Sequence, residues 1–169
     1  MDYIESIVFN LSNSKSLNDL NEVYEEISEN VVVKKEVAKR TQHINKNRRT
    51  SNSITLELNI VDGFTIFVGK NNIQNDYISL KFAHPNDIWF HTQKIHGSHV
   101  LIKNPNSIEI DDIPENVLYN AAKLAKQNSK ASNSSNVSVD YCYAKFVKKQ
   151  PGAKPGMVNY TNFKTIIVK

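Results

Sequence analysis

The chain has 169 residues, 40% of them hydrophobic and 22% charged, with a formal net charge of +4. That length and balance describe a soluble globular protein of one domain with an appendage, and no apolar run approaches the roughly 18 residues of a membrane span. The single cysteine, Cys142, excludes an internal disulfide, and MDYIESIVFN has acids where a secretory leader would be basic, so the expectation is a cytoplasmic protein with no membrane partner.

Charge is distributed in blocks. Residues 1–29 set Lys15 against seven acids, and residues 30–50 set seven basic residues against Glu36. Residues 141–169 carry six lysines and no acid at all. Localised basic surface is the footprint of a polyanion-binding protein, the plain alternative being solvated charged faces.

Taken in chain order, residues 1–30 contain two short helical patterns. Ile4, Ile7, Val8 and Leu11 form one apolar stripe; Leu17, Leu20, Val23, Tyr24 and Ile27, after Ser16, form a second with acids opposite. Neither is long enough to bury much surface alone, which predicts the remnant of a helical hairpin or coiled coil. Residues 31–53 are polar, basic and aperiodic, and read as a linker. From Ile54 apolar and polar residues alternate around Asp62-Gly63, a hairpin signal. Gly69–Asn72 is a loop, and 75–83 a short helix or turn. Residues 88–92 and 98–103 form a second hairpin candidate. Asp112-Ile113-Pro114-Glu115 opens a helix that runs over about 114–129. A long strand is expected over 137–147, then a Pro/Gly turn, then a terminal hairpin of 157–160 with 164–168. The fold class is therefore α+β: a largely antiparallel sheet with one main helix, in a domain spanning 54–169.

A five-residue connection at 93–97 sets His91 opposite His99. Because strand side chains alternate, Ile88, Phe90, Val100 and Ile102 share a core face. Asp87, Trp89, His91, His99, Leu101 and Lys103 share the other. An indole, two imidazoles and a lysine on one surface suit stacking and pairing with nucleotides, whereas a structural role would pack Trp89 beneath the helix. A zinc site would need four ligands; Cys142 is the only thiol and no zinc-like spacing occurs, so no metal is expected. Ser98 and His99 are strand neighbours facing opposite ways, and no Walker or GxGxxG loop is present. The expectation is a protein without catalytic residues or cofactor. The stronger signal is Lys145-Phe146-Val147-Lys148-Lys149-Gln150-Pro151-Gly152-Ala153-Lys154-Pro155-Gly156. Glycines allow backbone N–H groups to approach an anion, and Lys145, Lys148, Lys149 and Lys154 supply charge that no local acid cancels. Alternation would set Lys145 and Lys149 on one face of that strand and Lys148 on the other. Lys70 and Asn71 form a second possible anion loop, although such turns are common.

GKNNIQND (69–76), DIWFHTQKIHGSHV (87–100), AAKLAKQNSKAS (121–132), VDYCYAKFVKKQPGAKPG (139–156) and YTNFKT (160–165) occur in that order. Together they resemble the NFACT-R domain, the C-terminal domain of the NFACT family of ribosome quality-control proteins, historically called fibronectin/fibrinogen-binding proteins. The resemblance covers about 54–169, and it implies that residues 1–50 are the returning end of the family's middle coiled coil. It further implies binding to obstructed large ribosomal subunits, to ribosomal RNA and to tRNA, in support of C-terminal tailing of stalled nascent chains. Gln93-Lys94-Ile95-His96-Gly97 departs from the family pattern, which has an acid and a proline in that turn. Two other readings stand beside this one: a fibronectin-binding adhesin fragment, and an RNA-acting enzyme using His91 and His99 as acid and base.

Overall fold

The structure, a computed structural model, describes residues 3–30 and 54–169. The linker expected over 31–53 lies outside the described residues. Two helices come first, α1 (Tyr3–Asn13) and α2 (Leu17–Asn30). Ser16 and Asp19 cap α2 reciprocally, each side chain accepting from the other's backbone N–H at 3.1 Å. The helical hairpin buries only part of its apolar pattern, together with polar residues. Ile4, Val8, Leu17 and Tyr24 are 68%, 57%, 79% and 71% exposed, while Ser6, Asn10, Glu22 and Glu26 are buried beside Ile7 and Val23.

The reason lies in the short helix these two pack against, α3 (Asn72–Tyr77). Its amides supply the donors that buried carboxylates require. Asn72 donates to Ser6 Oγ and Glu26 Oε1, both at 2.8 Å. Gln74 donates to Glu22 at 2.8 Å, and the Asn71 amide does so at 2.6 Å. Burial raises the Glu26 pKa above the usual carboxylate value.

The remainder is α+β. Strands β1 (Glu57–Val61) and β2 (Phe64–Val68) form the expected hairpin, turning at Asp62 and Gly63, both with positive φ. After α3 a π-helical turn, Ile78–Phe82, leads to β3 (Ile88–Thr92) and β4 (Val100–Ile102). The main helix α4 covers Glu115–Gln127, and Pro114 occupies its N-cap without a side-chain hydrogen bond. Strand β5 (Val137–Tyr143) follows, and β8 (Lys164–Val168) closes the chain. The sheet order is β1-β2-β4-β3-β5-β8, with every neighbouring pair antiparallel.

Helix α4 lies across one face, where Ile66, Ile88, Phe90, Val100, Ile102, Val117 and Ala121 form the main core. The other face is buried too. Ile78, Trp89, Leu101, Cys142 and Val147 make a second core. A sheet covered on both sides explains why β3 is almost wholly buried instead of alternating with water.

Two expectations about the C-terminal third need correction. The strand expected over 137–147 breaks at a 3-10 turn, Ala144–Phe146, because the N–H groups of Ala144 and Lys145 donate to Asp87 and Pro85. The chain resumes as β6 (Val147–Lys148), so simple alternation does not set the directions of Lys145, Lys148 and Lys149. Nor do 157–160 and 164–168 pair with each other. Strand β7 (Asn159–Tyr160) pairs with β6, while β8 joins β5 at the edge of the large sheet.

Candidate functional site

The β3–β4 register sets Trp89 opposite Leu101 and Phe90 opposite Val100, and its continuation sets His91 beside His99 as the sequence predicts. Their rings are perpendicular at 5.2 Å between centroids. Trp89 stacks near His91 at 5.8 Å and meets His99 edge-on at 5.0 Å. This cluster is not an open surface. Trp89 is 0% and His99 2% exposed, because the π-helical turn lies over them. Ser79 in that turn accepts from Trp89 Nε1 at 2.9 Å and bonds His99 Nδ1 at 2.7 Å. Asn75 accepts from the His99 N–H at 2.9 Å. His91 is half-buried, its ring beside the Gly97 backbone. Burial, then the neighbouring His96, brings its pKa down to about 4; burial and His91 hold His99 well below the usual histidine value. Both imidazoles are therefore neutral at pH 7.

Tyr160, from β7, completes the ring wall with its centroid 4.9 Å from that of Trp89. Its hydroxyl donates to the buried Asp140 at 2.9 Å, and Thr165 donates to the same carboxylate at 2.6 Å. Between these rings and the segment 155–159 lies a cleft of about 370 Å³. The turn residues Lys94 and His96 border it on one side; Ser6, Asn72 and Asn75 border it on another. The WFH…SHV and GAKPG elements, distant in sequence, thus face each other across one opening. A larger cleft of about 510 Å³ opens between α2 and β1, lined by Asp19, Glu22 and Glu57 together with Lys15 and Lys70, the last paired with Glu57.

The predicted basic residues divide. Lys148 is exposed on β6, and no ion pair engages it among the described residues. Lys145 is exposed, its ammonium 4.6 Å from the Tyr143 ring centroid. Lys154 is exposed, 5.5 Å from the Tyr3 ring. Lys149 differs from expectation: it is half-buried and paired with Asp76 of α3, which also accepts from the Gly156 N–H at 2.9 Å. An acid remote in sequence thus neutralises one lysine and anchors the Pro-Gly loop. Lys70 pairs with Glu57 at 2.9 Å. Asn71 is 2% exposed and caps α3, its side chain accepting from the Gln74 N–H at 2.8 Å, so the 69–72 segment is not an open anion loop.

Lys103 and Asp87, placed on the ring face by alternation, are bound to each other at its far end. Asp87 also accepts from the N–H groups of His84 and Asn104. Among the described residues, no three His, Cys, Asp or Glu side chains gather as a metal would require, and no helix is long and apolar enough to cross a membrane. Residues the sequence did not single out include Ser79, Asn75, Asp76, Asp140 and Tyr160. Asn72, Asn75 and Asp76 recur at helical spacing, the one local sign that α3 buries a polar face.

Residues 54–162 match the family model described as the NFACT protein RNA binding domain. The whole chain is similar to two proteins named Rqc2 homolog RqcH. One, from Bacillus subtilis, is 39% identical over 99% of this chain; the other, from Streptococcus suis, is 37% identical over 98%. The chain spans 28% of the length of each. It also matches the solved C-terminal part of the fibronectin/fibrinogen-binding protein from Streptococcus suis (FBPS), with a TM-score of 0.78 and 35% identity. That match covers 98% of this chain and 62% of the solved one.

Proposed function

The chain belongs to the NFACT family and carries its RNA-binding domain, and from that premise we propose that it is the non-catalytic RNA- and ribosome-binding module of a ribosome quality-control factor. In the full-length protein it binds obstructed large subunits, ribosomal RNA and tRNA, in support of C-terminal tailing of stalled nascent chains. The observation that carries this reading is the cleft itself: Lys94 borders a wall of aromatic and imidazole rings, with exposed Lys148 on the strand that pairs with β7. Such a surface suits a polyanion whose bases can stack. Neutral imidazoles, His91 with its pKa brought down to about 4 and His99 held well below the usual histidine value by burial, are poor acid–base partners at neutral pH, which supports a binding role over an RNA-cleaving one.

Lys94, Lys148 and Lys154 are the phosphate contacts proposed, with Lys145 flanking them. Changing the first three to Ala should lower affinity for tRNA and for large subunits at least tenfold near physiological salt. The log–log salt slope should flatten by about two units, each phosphate contact being worth roughly 0.7–0.9. Unchanged affinity and slope would remove these lysines from the RNA site.

Residues 3–30, with an apolar stripe turned outward, are proposed to belong to a longer coiled coil in which a further helix covers Ile4, Val8, Leu17 and Tyr24. The name of the solved Streptococcus suis relative favours a second reading, fibronectin binding. Salt-resistant capture of the chain on immobilised fibronectin, with no RNA bound, would favour it.

A further inference from the structure

We propose that the cleft between the β3–β4 turn and the Pro-Gly loop receives a single unstacked nucleobase of the bound RNA, while the phosphates remain outside on the lysines. The inference rests on the RNA-binding reading and specifies what is read at this site. Four features carry it.

First, the interior offers flat rings and no usable charge. His91 and Tyr160, both half-buried, supply the ring faces, backed by the buried Trp89 and His99. The half-buried Lys149 is committed to Asp76. A phosphate driven into this interior would lose its hydration without gaining a counter-charge, whereas a neutral heteroaromatic ring loses little.

Second, hydrogen-bonding capacity remains after the rings are held. His99 is fixed through Nδ1 by Ser79 and Asn75, which leaves Nε2. His91 is half-buried and borders the cleft, where its ring nitrogens can meet a ligand. A planar ligand with donors and acceptors on its edge can use the half-buried His91, while the buried His99 holds the wall behind it.

Third, the walls are built in advance. Asn75 links α3 to both sides of the cleft, donating to the Gly97 carbonyl at 3.4 Å and accepting from the His99 N–H. Asp76 holds the Gly156 side. The rings need not rearrange to admit a guest, which limits the entropy lost on binding.

Fourth, the size suits a small ligand. A cleft of about 370 Å³ falls in the usual range of roughly 300–1,000 Å³, and is too small for a duplex.

Trp89 is the only tryptophan in the chain, so its emission reports on this cleft alone. The test titrates the full 169-residue chain with a short unstructured oligoribonucleotide, and with a strand of equal length in which every ribose is abasic. The base-bearing strand should quench Trp89 emission and bind about tenfold more tightly than the abasic strand. His91→Ala should remove most of that difference while leaving affinity for the abasic strand unchanged. Equal affinity for both strands, with unaltered Trp89 emission, would overturn the nucleobase site and leave phosphate-based RNA binding standing. Failure of both strands and of tRNA to bind would overturn both readings. If His91→Ala weakened both strands equally, the histidine would support the fold and read no base.

Discussion

Gly152 and Gly156 flank the same loop and separate backbone strain from tertiary packing. Both have positive φ, 78° and 76° respectively, so alanine at either position pays roughly 1–2 kcal/mol for the left-handed conformation. Their surroundings differ. A Cβ on Gly152 would meet nothing within 4 Å, whereas one on Gly156 would lie 2.6 Å from Asn72 Oδ1 and 2.9 Å from its Cγ. Asn72 cannot swing aside freely, because its amide holds Ser6 and Glu26 in the buried junction with α1 and α2. Displacing it costs those hydrogen bonds, on the order of 1–3 kcal/mol more. Gly152→Ala should therefore lose about 1–2 kcal/mol, and Gly156→Ala about 2–5 kcal/mol. Urea unfolding of the whole chain measures both. The thermal midpoints should fall in the same order, by roughly 2–4 °C per kcal/mol. If Gly152→Ala were as costly as Gly156→Ala, the loop would not be seated on α3, and the cleft it closes would not be preformed.

Two further outcomes follow from the charges. Asp76→Asn removes the partner of Lys149 while keeping an oxygen for the Gly156 N–H; it should cost about 1 kcal/mol of stability yet raise RNA affinity severalfold at low salt, as read by fluorescence anisotropy. Weaker RNA binding with full stability would refute this account of the loop charge. His91 has a folded-state pKa of about 4 against an ordinary 6.5, so between those values the unfolded chain binds the extra proton. Stability is then complete above about pH 6.5 and falls as pH drops toward 4, and His91→Phe should flatten this dependence; an equally steep pH profile in the variant would place the titration elsewhere.

The legible part of this protein is what local pattern encodes. Asp62-Gly63 fixed the first hairpin, because a two-residue turn with positive φ at both positions suits few other pairs. Alternation through 88–92 and 98–103 placed Trp89, His91 and His99 on one face in the correct register, since a strand has a period of two wherever it is buried. The helix over about 114–129 appeared as Glu115–Gln127, with the apolar spacing that covers the sheet.

What alternation cannot say is which face meets water. Both faces of this sheet are covered, and the cover over Trp89 comes from a π-helical turn whose sequence, ISLKF, carries no periodic signal. The N-terminal helices were legible as helices, but not the polar residues that they bury. The outcome was decided by amide donors on α3, several dozen residues away, that satisfy Glu22 and Glu26. The C-terminal lysines tell the same story. Within 141–169 no acid cancels them, yet Asp76 reaches Lys149 across the fold. Sequence by itself determined the helices, the first two hairpins with their register and the location of basic charge, because these depend on neighbours a few residues apart. Burial, ion pairing and the cleft depend on groups that meet only when distant segments pack, and these the tertiary structure alone decided.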